Sequence, residues 1–205
     1  MTDTAWNRTA SAVLENDHVQ LRPVTEAHRE PLRKIAFGDG IWDYFVSRVD
    51  TAADFDALFD AMVADQAAGR RAVFTIVDKA TERAAGSSSY GNMAEADRRL
   101  EIGWSWLGVD FQGQGVNRWA KYLLLQHAFE DMGAVRVEFK TDVLNARARA
   151  GLRKIGAREE GVLRSFNYMP GGRRRDAVYY SVLANEWPSV KDQLRDRGKA
   201  VNPSL

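Results

Sequence analysis

The residues with a chemical use cluster where an apolar stretch, Trp104-Ser105-Trp106-Leu107, runs through Gly108 to Phe111 into the polar turn Gln112-Gly113-Gln114-Gly115. A helix-forming stretch then begins at Val116-Asn117 and continues past Lys121. Strand, glycine turn and helix, in that order, can hold phosphate. The first N–H groups of a helix have no intrahelical partner and lie at the positive end of its dipole. Gly113 and Gly115 carry no Cβ, so backbone and phosphate can approach closely. No third glycine follows in the helix and no Gly-Lys-Ser/Thr follows the turn, so the Rossmann and Walker patterns both fail.

The pattern that does match is Gln/Arg-x-x-Gly-x-Gly/Ala, the pyrophosphate loop of acyl-CoA enzymes, read here as Gln112-Gly113-Gln114-Gly115-Val116-Asn117. A second block, Thr141 to Ala157, carries Asn145 and Ala148 at a helix start and Ile155-Gly156-Ala157 at its end. With both blocks in order, the chain resembles the GNAT acetyltransferases, specifically their RimJ/RimL-like branch, over roughly Val19 to Trp187.

The resemblance implies an α/β (α+β) GNAT fold with a mixed, mostly antiparallel sheet, splayed at the cofactor cleft and covered by helices on both faces. It also implies acetyl-CoA as cosubstrate and no metal. Residue by residue, it implies that Gln112, Gly113, Gln114, Gly115, Val116 and Asn117 hold the pyrophosphate. The backbones of Trp106 and Leu107 would pair with the pantetheine arm like an added strand, and an N–H near Leu107 would stabilise the developing oxyanion. Asn145 would face the cofactor, and Arg147, with Arg149, Arg153 and Lys154, would put charge near the nucleotide 3′-phosphate. The aromatic cluster Trp42, Tyr44 and Phe45 would form part of the acceptor wall. Helix capping by Asn145, a solvated basic face and aromatic core packing are the respective structural alternatives.

Acetyl transfer to an amine needs an oriented thioester, a neutral amine and a proton for the departing thiolate. Glu101 is the candidate base, since simple alternation puts it on one strand face with small Gly103 and Ser105. The alternative is an ordinary strand carboxylate paired with a cation. Three departures from the family pattern matter. Asn117 replaces a small residue of the loop, which leaves the backbone donors in place. Ala148 stands where many relatives carry the serine that protonates the thiolate, so that role passes to water, Asn145 or Tyr168. Asn167 stands where relatives that acetylate ribosomal-protein N-termini carry a glutamate.

The chain has 205 residues, 45% of them hydrophobic and 28% charged, with a formal net charge of +1. This is enough for one domain with a proper core, 1–205, its first fifteen residues expected as a loosely held arm. The charge balance gives no footprint for nucleic acid, and Arg173-Arg174-Arg175 reads better as an exposed hairpin turn than as an RNA site. With no cysteine there is no thiol nucleophile, in keeping with direct transfer. His18, His28 and His127 are scattered, which argues against a metal centre. Neither a leader pattern nor an apolar run of about 18 residues is visible, so a cytoplasmic protein without a membrane span is expected.

The expectation is therefore an N-acetyltransferase acting by direct attack of a primary amine, the acceptor being a small molecule or an aminoacyl or peptide amine. A non-catalytic acyl-CoA-binding module and a ribosomal-protein-type N-terminal acetyltransferase are the alternatives. A homodimer, through sheet edges or the terminal helix, stays open.

The elements that must position these residues follow from period and punctuation. Val19, Leu21 and Pro23 alternate as a half-buried strand. Thr25 and Thr51 open helices, the second running to Gly69 with Phe55, Leu58, Phe59, Met62 and Val63 on one face. Strands are expected at Ala72 to Asp78, Ala84 to Tyr90, Leu100 to Trp106 and Val135 to Phe139. In the third, Leu100, Ile102, Trp104 and Trp106 should share a face. Helices follow at Gly115 to Asp131 and Asn145 to Ile155, with Gly156 as a left-handed C-cap. Two strands then flank the Met169 to Gly172 turn, and a helix from Asn185 to Arg197 closes the chain.

Overall fold

A computed structural model describes residues 4–196; Met1 to Asp3 of the expected arm and Arg197 of the last helix lie outside the described residues. A single eight-stranded sheet runs through the molecule in the order β1-β2-β3-β4-β5-β6-β8-β7. Its first half comprises β1 (Leu14–Glu15), β2 (Val19–Pro23), β3 (Arg71–Asp78) and β4 (Arg83–Ala94). Its second half comprises β5 (Arg99–Leu107), β6 (Arg136–Asp142), β7 (Arg158–Tyr168) and β8 (Arg174–Leu183). All neighbouring pairs are antiparallel except β5 and β6, which are parallel.

Helices cover both faces. One face carries α1 (Ala5–Arg8), α4 (Val116–Gln126), α5 (Ala146–Lys154) and α6 (Trp187–Asp196); the other carries α2 (Arg29–Arg33) and α3 (Ala52–Ala67). On the α4 face, Leu100, Ile102, Leu124, Val137 and Tyr180 belong to one core, with Val190 and Leu194 of α6. On the α3 face, Leu32, Phe55, Phe59, Met62 and Val73 form a second core. α3 starts on a capping box in which Thr51 Oγ1 accepts from the Asp54 N–H at 3.2 Å and Asp54 Oδ2 accepts from the Thr51 N–H at 2.8 Å. Both cores place side chains at helical or strand spacing, which is why periodicity located these elements.

The parallel pair is short. β5 pairs with β6 only where Arg99, Leu100 and Glu101 lie opposite Arg136, Val137 and Glu138. From Ile102 and Phe139 onward the two strands part, and this is the splay the family resemblance implies. β5 also bulges: Gly103 lies opposite Ser89 and Trp106 opposite Ser87, so three steps on β5 face two on β4. Trp104 takes up the extra residue with φ of 50°.

The bulge corrects one expectation. Leu100 and Ile102 pack with α4, whereas Trp106 belongs to the second core beneath α2 and α3. An extra residue reverses side-chain parity beyond it, so Trp104 and Trp106 do not continue the face of Leu100, and Ser105 faces α4 rather than Glu101.

Close backbone approach at the bulge depends on Gly86, where an added Cβ would lie 2.0 Å from the Trp106 carbonyl oxygen and 2.8 Å from Leu107 Cα. Backbone cannot yield as a flexible side chain can. Gly86→Ala is therefore expected to destabilise the protein by about 1–3 kcal/mol, read as a fall in thermal midpoint of roughly 2–4 °C for each kcal/mol. An unchanged midpoint would contradict this packing.

Residues 4–15, expected as a loose arm, are docked. Trp6 Nε1 donates to the Met132 carbonyl at 2.8 Å, and buried Thr9 Oγ1 lies 2.9 Å from His127 Nε2. Among the described residues, no helix is long and apolar enough to cross a membrane.

Candidate active site

Parallel strands end on the same side of a sheet, so the helices that follow β5 and β6 begin side by side at the open end of the gap. Clefts outside the carboxyl ends of such strands are where α/β sheets bind ligands. α4 starts from Gly115, whose φ is 86° and which offers no side-chain cap, and Gly113 before it has φ of 78°. A Cβ on Gly113 would meet nothing within 4 Å, and one on Gly115 only Arg118 Nη2 at 3.9 Å. No side chain caps α4 at its N-cap, and space lies open around both glycines that lead into it. α5 differs: Asn145 Oδ1 accepts from the Ala148 N–H at 2.9 Å, an ordinary N-cap.

Gln112 joins the two sequence blocks. Its Nε2 donates to the Leu107 carbonyl at 3.0 Å, and its Oε1 accepts from Arg147 Nη1 at 2.6 Å. One side chain therefore ties the end of β5 to the start of α5 across the gap. Gln114, Val116 and Asn117 complete the turn, with Val116 buried beneath it. The donor set, an uncapped helix start with two left-handed glycines and Arg147 alongside, fits a pyrophosphate. The unpaired edge of β5 beyond Glu101, which includes Trp106 and Leu107, fits an extended arm bearing amide groups.

Glu101 lies where β5 and β6 separate. It is 3% exposed. Asn92 Nδ2 donates to its Oε2 at 2.7 Å, and Lys140 Nζ lies 3.3 Å from the same oxygen. Gly103 leaves the other oxygen its space, since a Cβ there would sit 3.0 Å from Oε1. Around this carboxylate stand Tyr179 and Arg175 of β8. Burial pushes the Tyr179 hydroxyl above its usual range, helped by the charges of Glu101 and Glu138. Burial also lowers the Arg175 guanidinium, against the opposing pull of Asp142 and Glu101. Lys140 Nζ stands 5.0 Å over the Phe166 ring and 5.6 Å from that of Tyr179.

On the other side of the gap lies a group that periodicity concealed. Lys121, in the apolar run of α4, is 6% exposed. Its Nζ donates to Ser105 Oγ at 2.7 Å, lies 3.5 Å from Ser88 Oγ, and stands 5.6 Å from the Phe139 ring centroid. Burial pushes this ammonium down to about 7, opposed by the charge of Glu101. A lysine in phase with Leu124 and Leu125 on a buried helix is a readable signal.

Other expected residues are placed as follows. Trp42 is buried, donates from Nε1 to the Ala36 carbonyl at 2.7 Å, and packs near Trp106 and Phe45 at ring separations of 5.1 and 5.0 Å. It is a core residue that supports β5 from behind. Phe45 packs partly on the same core, while Tyr44 is exposed. Tyr168, at the end of β7, is 68% exposed under the Arg174 guanidinium, and its contacts link it neither to Glu101 nor to the glycine loop. Asn167 Nδ2 donates to the Tyr168 carbonyl at 2.7 Å.

Two basic groups also differ from a merely solvated face. Arg149 and Arg153 reach the Tyr180 hydroxyl at 3.3 and 3.4 Å. In the Arg173–Arg175 turn, Arg173 pairs with fully buried Asp142 and Arg175 is itself 5% exposed. The expected exposed turn is therefore corrected at Arg175, because alternation along β8 turns it inward with Tyr179.

The sheet, its single parallel opening and the helix start at that opening define the class, and the comparisons agree. The acetyltransferase (GNAT) domain matches residues 18–158, and the chain belongs to that family. A candidate ribosomal N-acetyltransferase of Bacillus subtilis strain 168, YdaF, is 37% identical over 106 residues, covering 52% of this chain and 57% of that protein. The chain spans less than two thirds of the length of the curated relatives it matches. A crystal structure of a candidate acetyltransferase from T. thermophilus superposes with a TM-score of 0.81 at 34% identity, covering 90% of this chain and 96% of that one. Mycobacterium smegmatis RimJ, in complex with CoA-disulfide, shares the fold with a TM-score of 0.74 at 24% identity, over 91% of this chain and 93% of that one.

Proposed function

We propose that the protein is an N-acetyltransferase that moves an acetyl group from acetyl-CoA to a primary amine by direct attack, with Glu101 as the base. The observation that carries this reading is the position of Glu101. It is a buried carboxylate at the point where β5 and β6 part, held by Asn92 and Lys140.

Bound acetyl-CoA supplies the acyl group as a thioester. The N–H groups from Gly113 to Asn117 bind its pyrophosphate, aided by Arg147. The free edge of β5 at Trp106 and Leu107 aligns the arm, and Asn145 adds its side chain at the start of α5. Glu101 takes the proton that the amine must lose, and the burial of the gap excludes bulk water. The sheet that runs unbroken from β1 to β8 supports one GNAT domain, and a cytoplasmic site of action is part of the same proposal.

The acceptor follows from the opposite side of the sheet. Phe166, Tyr179 and Lys140 form an open, aromatic and polar surface beside Glu101. It suits an amine attached to an extended chain, such as a peptide N-terminus, and the similarity to YdaF, a candidate ribosomal N-acetyltransferase, supports the ribosomal-protein form of this reading. A small-molecule amine is the second reading, favoured by Asn167 in place of the glutamate of ribosomal relatives. Release of CoA thiol with peptide N-termini and small amines, each at saturating acetyl-CoA, tests both. Transfer to peptides first supports the ribosomal form, transfer to small amines alone supports the second, and no transfer to any amine defeats the proposal.

A further inference from the structure

The proposed chemistry uses the buried ionisable group on one face of β5 at the gap, Glu101, and leaves unused the one on the other face. That second group is Lys121. Its Nζ spans the opening from below, bonded to Ser105 on β5 and set over Phe139 on β6. Both residues lie past the last paired positions, Glu101 and Glu138. Among the described residues, no carboxylate comes within 4.0 Å of this nitrogen in an ion pair. The groups facing it are the Ser88 hydroxyl from β4, the Ser105 hydroxyl from β5 and the Phe139 ring from β6. Glu101, on the opposite face of β5, is the carboxylate whose field reaches it. Burying an ammonium without a counter-ion is costly, and an apolar side chain of similar volume would fill the same space more stably. The cost of a lysine at this point, bonded to Ser105 beside the gap, is the observation that motivates a role for its proton.

We propose that Lys121, acting through the Ser105 hydroxyl, supplies the proton taken up by the thioester sulfur when the C–S bond breaks. This rests on the acetyl-transfer reading above and fills the role left open by Ala148. The balance is simple. The C–N bond forms and the amine proton passes to Glu101. As the C–S bond breaks, Ser105 O–H gives its proton to sulfur and receives one from Lys121 Nζ. Lys121 is left neutral and regains a proton from water once the gap opens. Ser105 is the group that touches the reacting atom, and Lys121 is the positioning residue that recharges it. Burial holds Lys121 at about 7, below the ordinary thiol range of about 8.5, so the transfer runs downhill.

The sign of the accompanying stability effect follows from the same burial. The folded-state ammonium titrates at about 7, whereas the unfolded lysine titrates near its ordinary value of about 10.4. Between these pH values the unfolded chain binds the extra proton, so wild-type stability rises with pH across that window. Lys121→Met removes this slope. Its thermal midpoint should lie above wild type at neutral pH, with the difference shrinking as the pH rises through that window.

The test compares wild type, Lys121→Met and Ser105→Ala, first without ligand by thermal denaturation from about pH 6 to 11, which spans both titrations. Steady-state transfer from acetyl-CoA to the best amine of the panel follows over the same range. Wild-type kcat should fall above a pH of about 7; Lys121→Met should lower kcat by about 100-fold, leave the KM for acetyl-CoA within a few-fold, and abolish that alkaline fall. Ser105→Ala should lower kcat similarly while keeping the wild-type slope of stability with pH. A loss confined to KM, an unchanged kcat, or an alkaline limb that survives in Lys121→Met overturns the proposal. If Lys121→Met does not fold, Ser105→Ala decides it, and an undiminished kcat there is fatal. Wild type that binds CoA but acetylates no amine defeats the acetyl-transfer reading and this inference together; active wild type with indifferent variants defeats this inference alone.

Discussion

Glu101→Gln should lower kcat by about 100- to 1,000-fold, the size expected for loss of a positioned base, while binding of CoA stays unchanged. The substitution is nearly isosteric, and its amide oxygen can still accept from Asn92, now 2.7 Å from Oε2. It removes the proton acceptor and the counter-ion of Lys140, 3.3 Å away. The proposed CoA contacts lie on the opposite lip, at Gly113 to Asn117 and Arg147, so CoA affinity reports on a separate part of the site. Calorimetry with CoA beside steady-state kinetics separates the two. A variant as active as wild type would return Glu101 to the ordinary role of a strand carboxylate paired with a cation.

Replacing Gly115 by Val should weaken CoA binding by about 10- to 100-fold, from two costs that combine. A β-branched residue at φ of 86° carries left-handed strain of about 1–2 kcal/mol, and its Cβ enters the space in which the helix start must meet phosphate. Gly69→Ala is the control, since Gly69 also has a positive φ, 68°, and open space around its Cβ, but it ends α3 away from the gap. The control should lose a comparable amount of thermal stability and keep full CoA affinity. Equal CoA binding by Gly115→Val and wild type would mean that the loop does not hold the pyrophosphate.

Much of this site is legible in the sequence. The glycine turn, the helix behind it and the Asn145 cap each follow from local rules, because unpaired N–H groups, left-handed glycines and capping side chains act within a few residues. Gly156, with φ of 90°, ends α5 for the same reason. What escapes is nonlocal. The bulge at Trp104 adds one residue to an otherwise clean alternation, and no residue type at that position announces it. Trp106 consequently moves to the second core, and Ser105 moves from the side of Glu101 to that of Lys121. Lys121 itself is missed when only the apolar members of its helix are counted, although its phase matches theirs. Trp42 reads as acceptor wall by resemblance; the 2.7 Å bond from its indole to Ala36 places its polar end in the core, a contact set by tertiary packing alone.

The measurement to make first is calorimetric titration of the purified protein with CoA and acetyl-CoA, beside NAD and ATP. The uncapped start of α4, the left-handed Gly113 and Gly115, and the Gln112–Arg147 bridge predict saturable one-to-one binding of both CoA species, with neither NAD nor ATP competing. A folded sample that binds no CoA would contradict the phosphate-loop assignment on which the site, the base and the proton relay all depend.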